Sequence, residues 1–162
     1  MKFGWETFGN PGVVGEAECF DLILGSPPYF PPGSGTEGDH PQKMACRFEL
    51  RGTVADYCAR ASRHLNPGGS FVCVFPVSPE QQHERLRQGV QESGLVVWKW
   101  RPVVFREGER PLLGLFCMMR KEDLPESLRG TPWREEPLVI RREDGTVHPE
   151  YVRVKMSFGF PP

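Results

Sequence analysis

Residues 20–29 of this 162-residue chain decide its fold class, and they read Phe-Asp-Leu-Ile-Leu-Gly-Ser-Pro-Pro-Tyr. Phe20 to Leu24 form a short apolar run, which is typical of a strand buried within a parallel sheet. The run passes directly into Gly25-Ser26-Pro27-Pro28-Tyr29 and then into a long loop dense in proline and glycine. Long loops in compact domains are usually functional or disordered. The stretch therefore predicts a buried strand that ends in a loop of functional interest.

The chain after this loop alternates between helix and strand patterns. Thr53 with Asp56 predicts a capping box at the start of a helix, and Ser78 with Gln81 predicts a second one. In chain order, the predicted elements are a helix over 53–65 ended by Asn-Pro-Gly-Gly at 66–69, a strand over 70–77, a helix over 78–94, strands over 95–105 and 112–120, and a hairpin with a strand at 138–140 and its turn at 144–145. This order is an α/β pattern.

Composition is that of an ordinary globular domain, with 38% hydrophobic and 25% charged residues. No apolar run is long enough to span a bilayer and no signal segment is recognisable, so we expect a cytoplasmic protein that binds no membrane. The five cysteines form no CxxC pair, and two lie within apolar runs. This arrangement favours buried free thiols over disulfides or a metal site.

Charge is distributed unevenly although the net charge is only −1. Residues 43–121 contain 13 Lys and Arg against seven Asp and Glu. A local positive bias is what a phosphate-binding face needs, while a solvated surface of mixed charge explains the same counts equally well. Arg101, Arg106 and Arg110 are candidate phosphate contacts under the first interpretation and a solvated turn under the second.

Other residues with chemical potential give weaker signals. The four histidines, including His64, His83 and His148, show no metal-ligand spacing, so we expect surface or capping roles and no metal. Trp98 and Trp100 alternate along a predicted strand, and we expect both rings to pack on one side of it.

The order strand, Ser26-Pro27-Pro28-Tyr29, loop, helix, Asn-Pro-Gly-Gly, strand resembles S-adenosylmethionine-dependent amino-methyltransferases. In that family an (Asn/Asp/Ser)-Pro-Pro-(Tyr/Phe/Trp) motif lies at the carboxyl end of a strand of a Rossmann-like sheet, where open α/β sheets generally bind ligands. The resemblance implies the C-terminal half of a Rossmann-like class I methyltransferase sheet with a C-terminal hairpin. It divides the chain into an N-terminal loop or disordered segment (1–19), a catalytic half-domain (20–122) and a C-terminal extension with a hairpin (123–162).

The same resemblance implies catalytic roles for Ser26, Pro27, Pro28 and Tyr29. The lone pair of an exocyclic amine is delocalised into the ring, and acceptors in the plane of the amine localise it. In the family these acceptors are the first motif side chain and the next carbonyl, here Ser26 and the carbonyl of Pro27, which the two prolines keep aimed. Tyr29 would stack on a flipped-out base, and Phe30 would extend that surface. Ser26 is also the expected contact with the donor.

Segments outside the motif resemble the bacterial tRNA adenine-N6 methyltransferases that modify a valine tRNA. These segments are RFELRG at 47–52, TVADYCARASRHLNPGG at 53–69 and PLVIRREDGTVHPEY at 137–151. Arg47 and Glu49 match a family segment, and either they place RNA or the loop or they form a surface ion pair at a helix entrance. Asn is usual at position 26 in this family, whereas Ser is familiar in DNA cytosine-N4 methyltransferases, so the target base stays open.

The resemblance implies S-adenosylmethionine as cofactor, but the donor-binding half should precede Phe20. Too few residues lie there for the required strands and Gly-rich turn. Gly33 to Gly38 spell G-x-G-x-x-G, but they follow a Pro-rich loop instead of a strand, which is the wrong context for a nucleotide cradle. We expect tRNA or another nucleic acid as partner, and either a second copy of the chain or a separate donor-binding chain. Alternatives are a non-catalytic nucleic-acid-binding fragment and a DNA-amine or protein-glutamine methyltransferase.

Overall fold

The computed structural model describes residues 15, 17–30, 49 and 52–161, which form one mixed sheet with helices. The elements are β1 (Phe20–Gly25), α1 (Val54–His64), β2 (Leu65–Pro76), α2 (Glu80–Glu92), β3 (Leu95–Arg106), β4 (Leu113–Arg120), a short 3-10 helix (Glu126–Leu128), β5 (Trp133–Arg134), β6 (Leu138–Arg141) and α3 (Pro149–Ser157). No helix of the described residues is both long and apolar enough to cross a membrane.

The strands follow the order β1-β2-β4-β3-β5, and β6 also pairs with β3. β1 is parallel to β2, β4 is antiparallel to both β2 and β3, and the short strands β5 and β6 are parallel to β3. The carboxyl ends of β1, β2 and β3 therefore lie at the same edge of the sheet. This is the edge at which the motif follows β1.

The core lies between one face of the sheet and the helices α1 and α2. Alternate residues of the central strands point to this face, as expected from the two-residue period of a strand. The strand contribution includes Ile23, Phe71, Cys73, Phe75, Phe116 and Met118, and the helix contribution includes Val54, Cys58, Ala61, Leu86 and Val90, all of them buried. The C-terminal helix α3 packs against β6.

The start of α1 confirms the predicted capping box. The Asp56 amide donates to Thr53 Oγ1 at 3.3 Å, and the Thr53 amide donates to Asp56 Oδ2 at 2.7 Å. The predicted helix end before Asn66 is confirmed, because α1 ends at His64 with Leu65 as its C-cap, and Asn66 to Gly69 then belong to β2.

Those four residues form an irregularity in the parallel pairing. Phe20 pairs with Leu65, whereas Leu22 pairs with Ser70, so β2 carries extra residues at this point. A Cβ at Gly69 would lie 2.9 Å from the Phe20 carbonyl oxygen, too close for any other residue. Gly69 therefore serves a close approach of two strands. Gly68 has a φ of +77° and open space around the position of a Cβ, which is the left-handed geometry that the sequence predicted.

Two further expectations are wrong, and a third is confirmed. Ser78 does not cap α2, which begins at Glu80 with Pro79 as the N-cap and no side-chain cap bond. Trp98 and Trp100 do not share a face of β3. The C-terminal hairpin forms as predicted, because the Arg142 amide donates to the Thr146 carbonyl oxygen at 2.8 Å, the His148 amide donates to the Ile140 carbonyl oxygen at 2.9 Å, and Arg141 forms an antiparallel bridge with Val147.

β3 contains an irregularity between Val97 and Lys99. Trp100 stacks on Phe116 on the core face, with ring centroids 5.7 Å apart. Trp98 lies at the irregularity and contacts Cys117, whose side chain points away from the core face because it neighbours Phe116. One extra residue in a strand changes the alternation of all that follow.

Candidate functional site

The motif begins where β1 ends, beside the carboxyl end of β2. Gly25 pairs with Cys73, and Ser26 follows it in an exposed position. A Cβ at position 25 would lie 2.9 Å from the Phe71 ring, so glycine lets the chain pass closely over the core just before the motif. Pro27 and Pro28 are buried. The motif thus combines an exposed hydroxyl with a backbone held by two buried rings.

Tyr29 is half-buried, and its ring joins the core to the site. The ring lies edge-on to Phe75, with centroids 5.7 Å apart at 90°, and contacts the Phe30 ring at 6.5 Å. Burial raises the pKa of Tyr29 above 10.0, and a hydrogen bond with the Ser26 side chain partly offsets the rise. Tyr29 is therefore a neutral phenol at physiological pH, and the side chains of Ser26 and Tyr29 touch one another.

Glu49 lies against the motif and forms an ion pair with Arg85 of α2. The Glu49 amide donates to the Phe30 carbonyl oxygen at 3.0 Å, and its side chain is only 5% exposed. Arg85 also donates to the Tyr29 carbonyl oxygen at 3.4 Å. Glu49 thus contacts the end of the motif through its amide and α2 through its carboxylate. Arg47 lies outside the described residues.

Arg85 is a site residue that sequence reasoning missed. It is one of several charged residues on α2, and its partners Tyr29 and Glu49 are 56 and 36 positions away in sequence. Its spacing to the other residues of α2 gives no signal, because the contacts that distinguish it cross between elements.

The described cysteines provide no activated nucleophile near the motif. Cys58 and Cys73 are buried free thiols, Cys117 is half-buried and Cys19 is exposed. Burial raises the pKa of Cys58 to about 12 and raises that of Cys73 as well. A thiol that stays protonated is a poor nucleophile, so these two residues are structural, as the sequence predicted.

The candidate phosphate contacts separate into two groups. Arg101 forms an ion pair with Glu150 of α3 and donates to the Glu136 carbonyl oxygen at 2.9 Å. It anchors the C-terminal helix, and a phosphate-binding role for it is not supported. Arg106 and Arg110 are exposed, and Arg106 pairs in register with Arg141 at the carboxyl end of β3. Their contact with phosphate stays a prediction.

The described histidines have structural partners. His148 caps α3 by accepting from the Glu150 amide at 3.3 Å, as expected of a capping role. His64 Nδ1 lies 2.8 Å from the Glu18 carbonyl oxygen. His83 packs on the rings of Trp100 and Phe116. Each of the three is therefore explained by packing or capping.

Two clefts of about 520 and 560 Å³ share Val96, Lys121 and Gly130 at the opposite end of the sheet, and neither includes a motif residue. These two clefts therefore do not fit a donor that must reach Ser26 and Tyr29. Among the described residues β1 is the terminal strand of the sheet, and Leu22 and Leu24 on it are 54% and 65% exposed.

The chain is similar in sequence to known methyltransferases. No protein-family model matches the chain. It is 27% identical over 139 residues to a tRNA1(Val) (adenine(37)-N6)-methyltransferase of Pasteurella multocida, covering 86% of this chain and 52% of the relative. A protein of the same name from Tolumonas auensis is 28% identical over 143 residues, covering 88% of this chain and 55% of the relative. These matches confirm the resemblance stated from the sequence.

A shorter match is to a protein named as a type II methyltransferase. A type II methyltransferase of Paramecium bursaria Chlorella virus XZ-6E is 41% identical over 61 residues, which cover 38% of this chain and 15% of that protein. Among solved structures, a predicted O-methyltransferase of Agrobacterium tumefaciens aligns with a TM-score of 0.55 at 15% identity, over 88% of this chain and 52% of that one. The fold is thus that of a Rossmann-like class I methyltransferase sheet, and the chain spans about half the length of the first two curated relatives.

Proposed function

We propose that this chain is the motif-bearing half of an S-adenosylmethionine-dependent methyltransferase that acts on N6 of adenine in tRNA. The observation that carries the proposal is Ser26-Pro27-Pro28-Tyr29 at the carboxyl end of a parallel strand, with an exposed hydroxyl, a constrained backbone and a half-exposed ring. The two relatives of the adenine-N6 type support the choice of substrate.

The chain's own residues would hold the amine and the base. The Ser26 hydroxyl and the Pro27 carbonyl would accept from the exocyclic amine and localise its lone pair toward the donor methyl group. Because Pro27 and Pro28 are buried, this backbone cannot turn away between turnovers. Tyr29 is neutral, so its ring would stack on the flipped base without placing a negative charge beside it. S-adenosylmethionine would supply the methyl group.

A separate donor-binding half is part of the proposal. Parallel strands are normally buried on both faces, yet Leu22 and Leu24 of β1 are more than half exposed and the outer edge of β1 has no strand among the described residues. An apolar edge without lysine or proline to block pairing invites another strand. We infer that a donor-binding α/β segment, in the same polypeptide or a partner chain, pairs with β1 and covers these leucines.

The decisive experiment measures transfer of a labelled methyl group from S-adenosylmethionine to bulk tRNA. The chain is assayed alone and mixed with the part of the Pasteurella multocida relative that the match leaves uncovered. We expect transfer only in the mixture, and its loss in the Ser26→Ala variant. Transfer that survives Ser26→Ala and Tyr29→Ala undiminished would refute the site.

Calorimetric titration with S-adenosylmethionine tests directly whether the chain binds the donor alone or only together with a second half. We expect no binding by the chain alone and binding by the mixture. Tight binding by the isolated chain would show that a donor pocket exists without a second half.

A DNA amine is the second candidate substrate, favoured by Ser26 and by the type II methyltransferase relative. Parallel assays with duplex DNA separate the two, because methylated DNA and unmodified tRNA would exclude the tRNA proposal. A non-catalytic nucleic-acid-binding role is the third candidate, since the two clefts of about 520 and 560 Å³ lie away from the motif. Binding of tRNA with no transfer in any mixture would establish that role instead.

A further inference from the structure

A set of contacts at the end of the motif links Glu49 and Arg85 to the backbone of Tyr29 and Phe30. We call these contacts the motif clamp. Glu49 holds the Phe30 carbonyl through its amide, and its carboxylate holds Arg85. Arg85 reaches from α2 to the Tyr29 carbonyl. The clamp thus joins Phe30, directly after the motif, to Glu49, which precedes α1 in sequence. It also ties both residues to α2.

The ion pair of the clamp is more buried than a surface ion pair on the same helix. The Glu49 side chain is 5% exposed and that of Arg85 is 29% exposed, whereas the neighbouring Arg87–Glu84 pair on the same helix is 63% and 64% exposed. Removing one partner would leave a desolvated carboxylate unpaired, which proteins tolerate poorly. Gln82 Oε1 accepts from the same guanidinium at 3.0 Å and fixes its direction. Arginine is suited to this position because its planar fork can donate to three acceptors at once.

We propose that Arg85 and Glu49 are positioning residues for the methyl-transfer site. Arg85 donates to the Tyr29 carbonyl oxygen and the Glu49 amide donates to the Phe30 carbonyl oxygen, so the clamp contributes to where the Tyr29 backbone, and with it the ring, stands relative to Ser26. Neither residue need touch the substrate. This inference rests on the proposed function, because it states how the residues of that same site are held in position.

The first arm of the test does not require catalysis. Amide hydrogen exchange is measured on the full chain for the wild type and for the variants Arg85→Gln and Arg87→Gln. We expect the Glu49 amide to exchange at least tenfold faster in Arg85→Gln, because its bond to Phe30 loses its support, and to be unchanged in Arg87→Gln. An unchanged Glu49 amide in Arg85→Gln overturns the clamp.

The second arm measures kcat and KM for methyl transfer under the conditions in which the wild type is active. We expect Arg85→Gln to lower kcat by about 10²-fold with KM changed less than twofold, since small misplacements of reacting groups have effects of that size. Arg85→Lys, which keeps the charge but lacks the fork, should recover only part of kcat. The double variant with Glu49→Gln should be no worse than Arg85→Gln alone, because both changes cut the same contact.

Each outcome has a separate meaning. A wild-type mixture that transfers no methyl group contradicts the proposed function, and the exchange arm still decides whether the clamp holds the end of the motif. An active wild type with kcat unchanged in Arg85→Gln overturns the positioning role. A loss of activity that follows a loss of folded protein, seen by thermal unfolding, also overturns it, because stability alone would then explain the effect.

Discussion

Tyr29 shows at the scale of one residue how a site and a core can share a side chain. One edge of its ring packs on Phe75, and its hydroxyl meets Ser26. The part of the ring that faces away from the core is the surface available to a base. A substitution here therefore affects both folding and binding, and the two effects must be measured apart.

Tyr29→Phe and Tyr29→Ala separate the ring from the hydroxyl. We expect Tyr29→Ala to lower kcat/KM for tRNA by roughly 5- to 150-fold, the equivalent of ~1–3 kcal/mol of base stacking. Tyr29→Phe should retain most activity because it keeps the ring face. Steady-state kinetics at matched folded fraction, set by thermal unfolding, checks this. Equal losses in the two variants would assign the role to the hydroxyl and contradict stacking.

Cys58 provides a residue-scale prediction on pH. Burial raises its pKa to about 12 from 9.0, so its stabilising contribution is complete below pH 9.0 and is lost as the pH rises toward 12. The unfolded chain releases the proton first, and the free energy of unfolding should fall by up to about 1.4 kcal/mol per pH unit from this thiol. The Cys58→Ala variant has no thiol at this position, so its free energy of unfolding should lack this pH dependence.

Urea unfolding of the wild type and of Cys58→Ala at several pH values between about 7 and 10 tests this prediction. The quantity compared is how steeply the free energy of unfolding falls with pH in each protein. Cys58→Ala is expected to start less stable, because it leaves a cavity, but to lose stability less steeply above pH 9. Parallel curves for the two proteins would show that the buried thiol does not contribute to the alkaline slope.

At the scale of elements, the start of α1 is encoded locally and the irregularity of β2 is not. The capping box at Thr53 and Asp56 involves residues three positions apart, and it formed as predicted. The Asn-Pro-Gly-Gly segment follows the end of α1, as its composition predicts, and it also forms an irregular part of β2. The second feature depends on the neighbouring strand β1, which composition does not identify.

The capping box allows a matched pair of variants. Thr53→Ala should lower the free energy of unfolding by ~1 kcal/mol, because the Asp56 amide loses its acceptor, whereas Thr53→Ser keeps that acceptor and should change it by only a few tenths. Chemical denaturation of the full chain measures both. A loss in Thr53→Ser as large as that in Thr53→Ala would mean that the methyl group, and not the cap bond, carries the effect.

At the scale of the whole molecule, the sheet of the described residues ends at β1, a strand whose sequence suits a central position. Ile23 is 6% exposed, while its neighbours Leu22 and Leu24 are 54% and 65% exposed on the opposite side. The other end of the sheet is different, because β5, β6 and α3 lie beyond β3. The asymmetry supports the proposal that a second half joins at β1.

Lysine at the exposed positions tests this edge. We expect Leu22→Lys and Leu24→Lys to leave the unfolding free energy within about 0.5 kcal/mol of wild type, as is usual for surface changes, but to abolish binding of the donor-binding half. Ile23→Lys is the contrasting variant and should unfold the chain, because it buries a charge. Analytical ultracentrifugation of the mixtures measures association. Unimpaired association of the lysine variants would place the second half elsewhere.

The sequence by itself determined the features that depend on residues close together. The apolar run before Ser26, the constrained Pro-Pro, the cap of α1 and the inert thiols follow from local pattern, and the resemblance carried by those segments pointed to the methyltransferase fold. Only the tertiary structure decided the features that depend on distant residues. Arg85 meets Tyr29 and Glu49 across elements, and Asn66 to Gly69 become strand because β1 lies beside them. The physical reason is that a side chain's environment is set by its neighbours in space, which local periodicity does not identify.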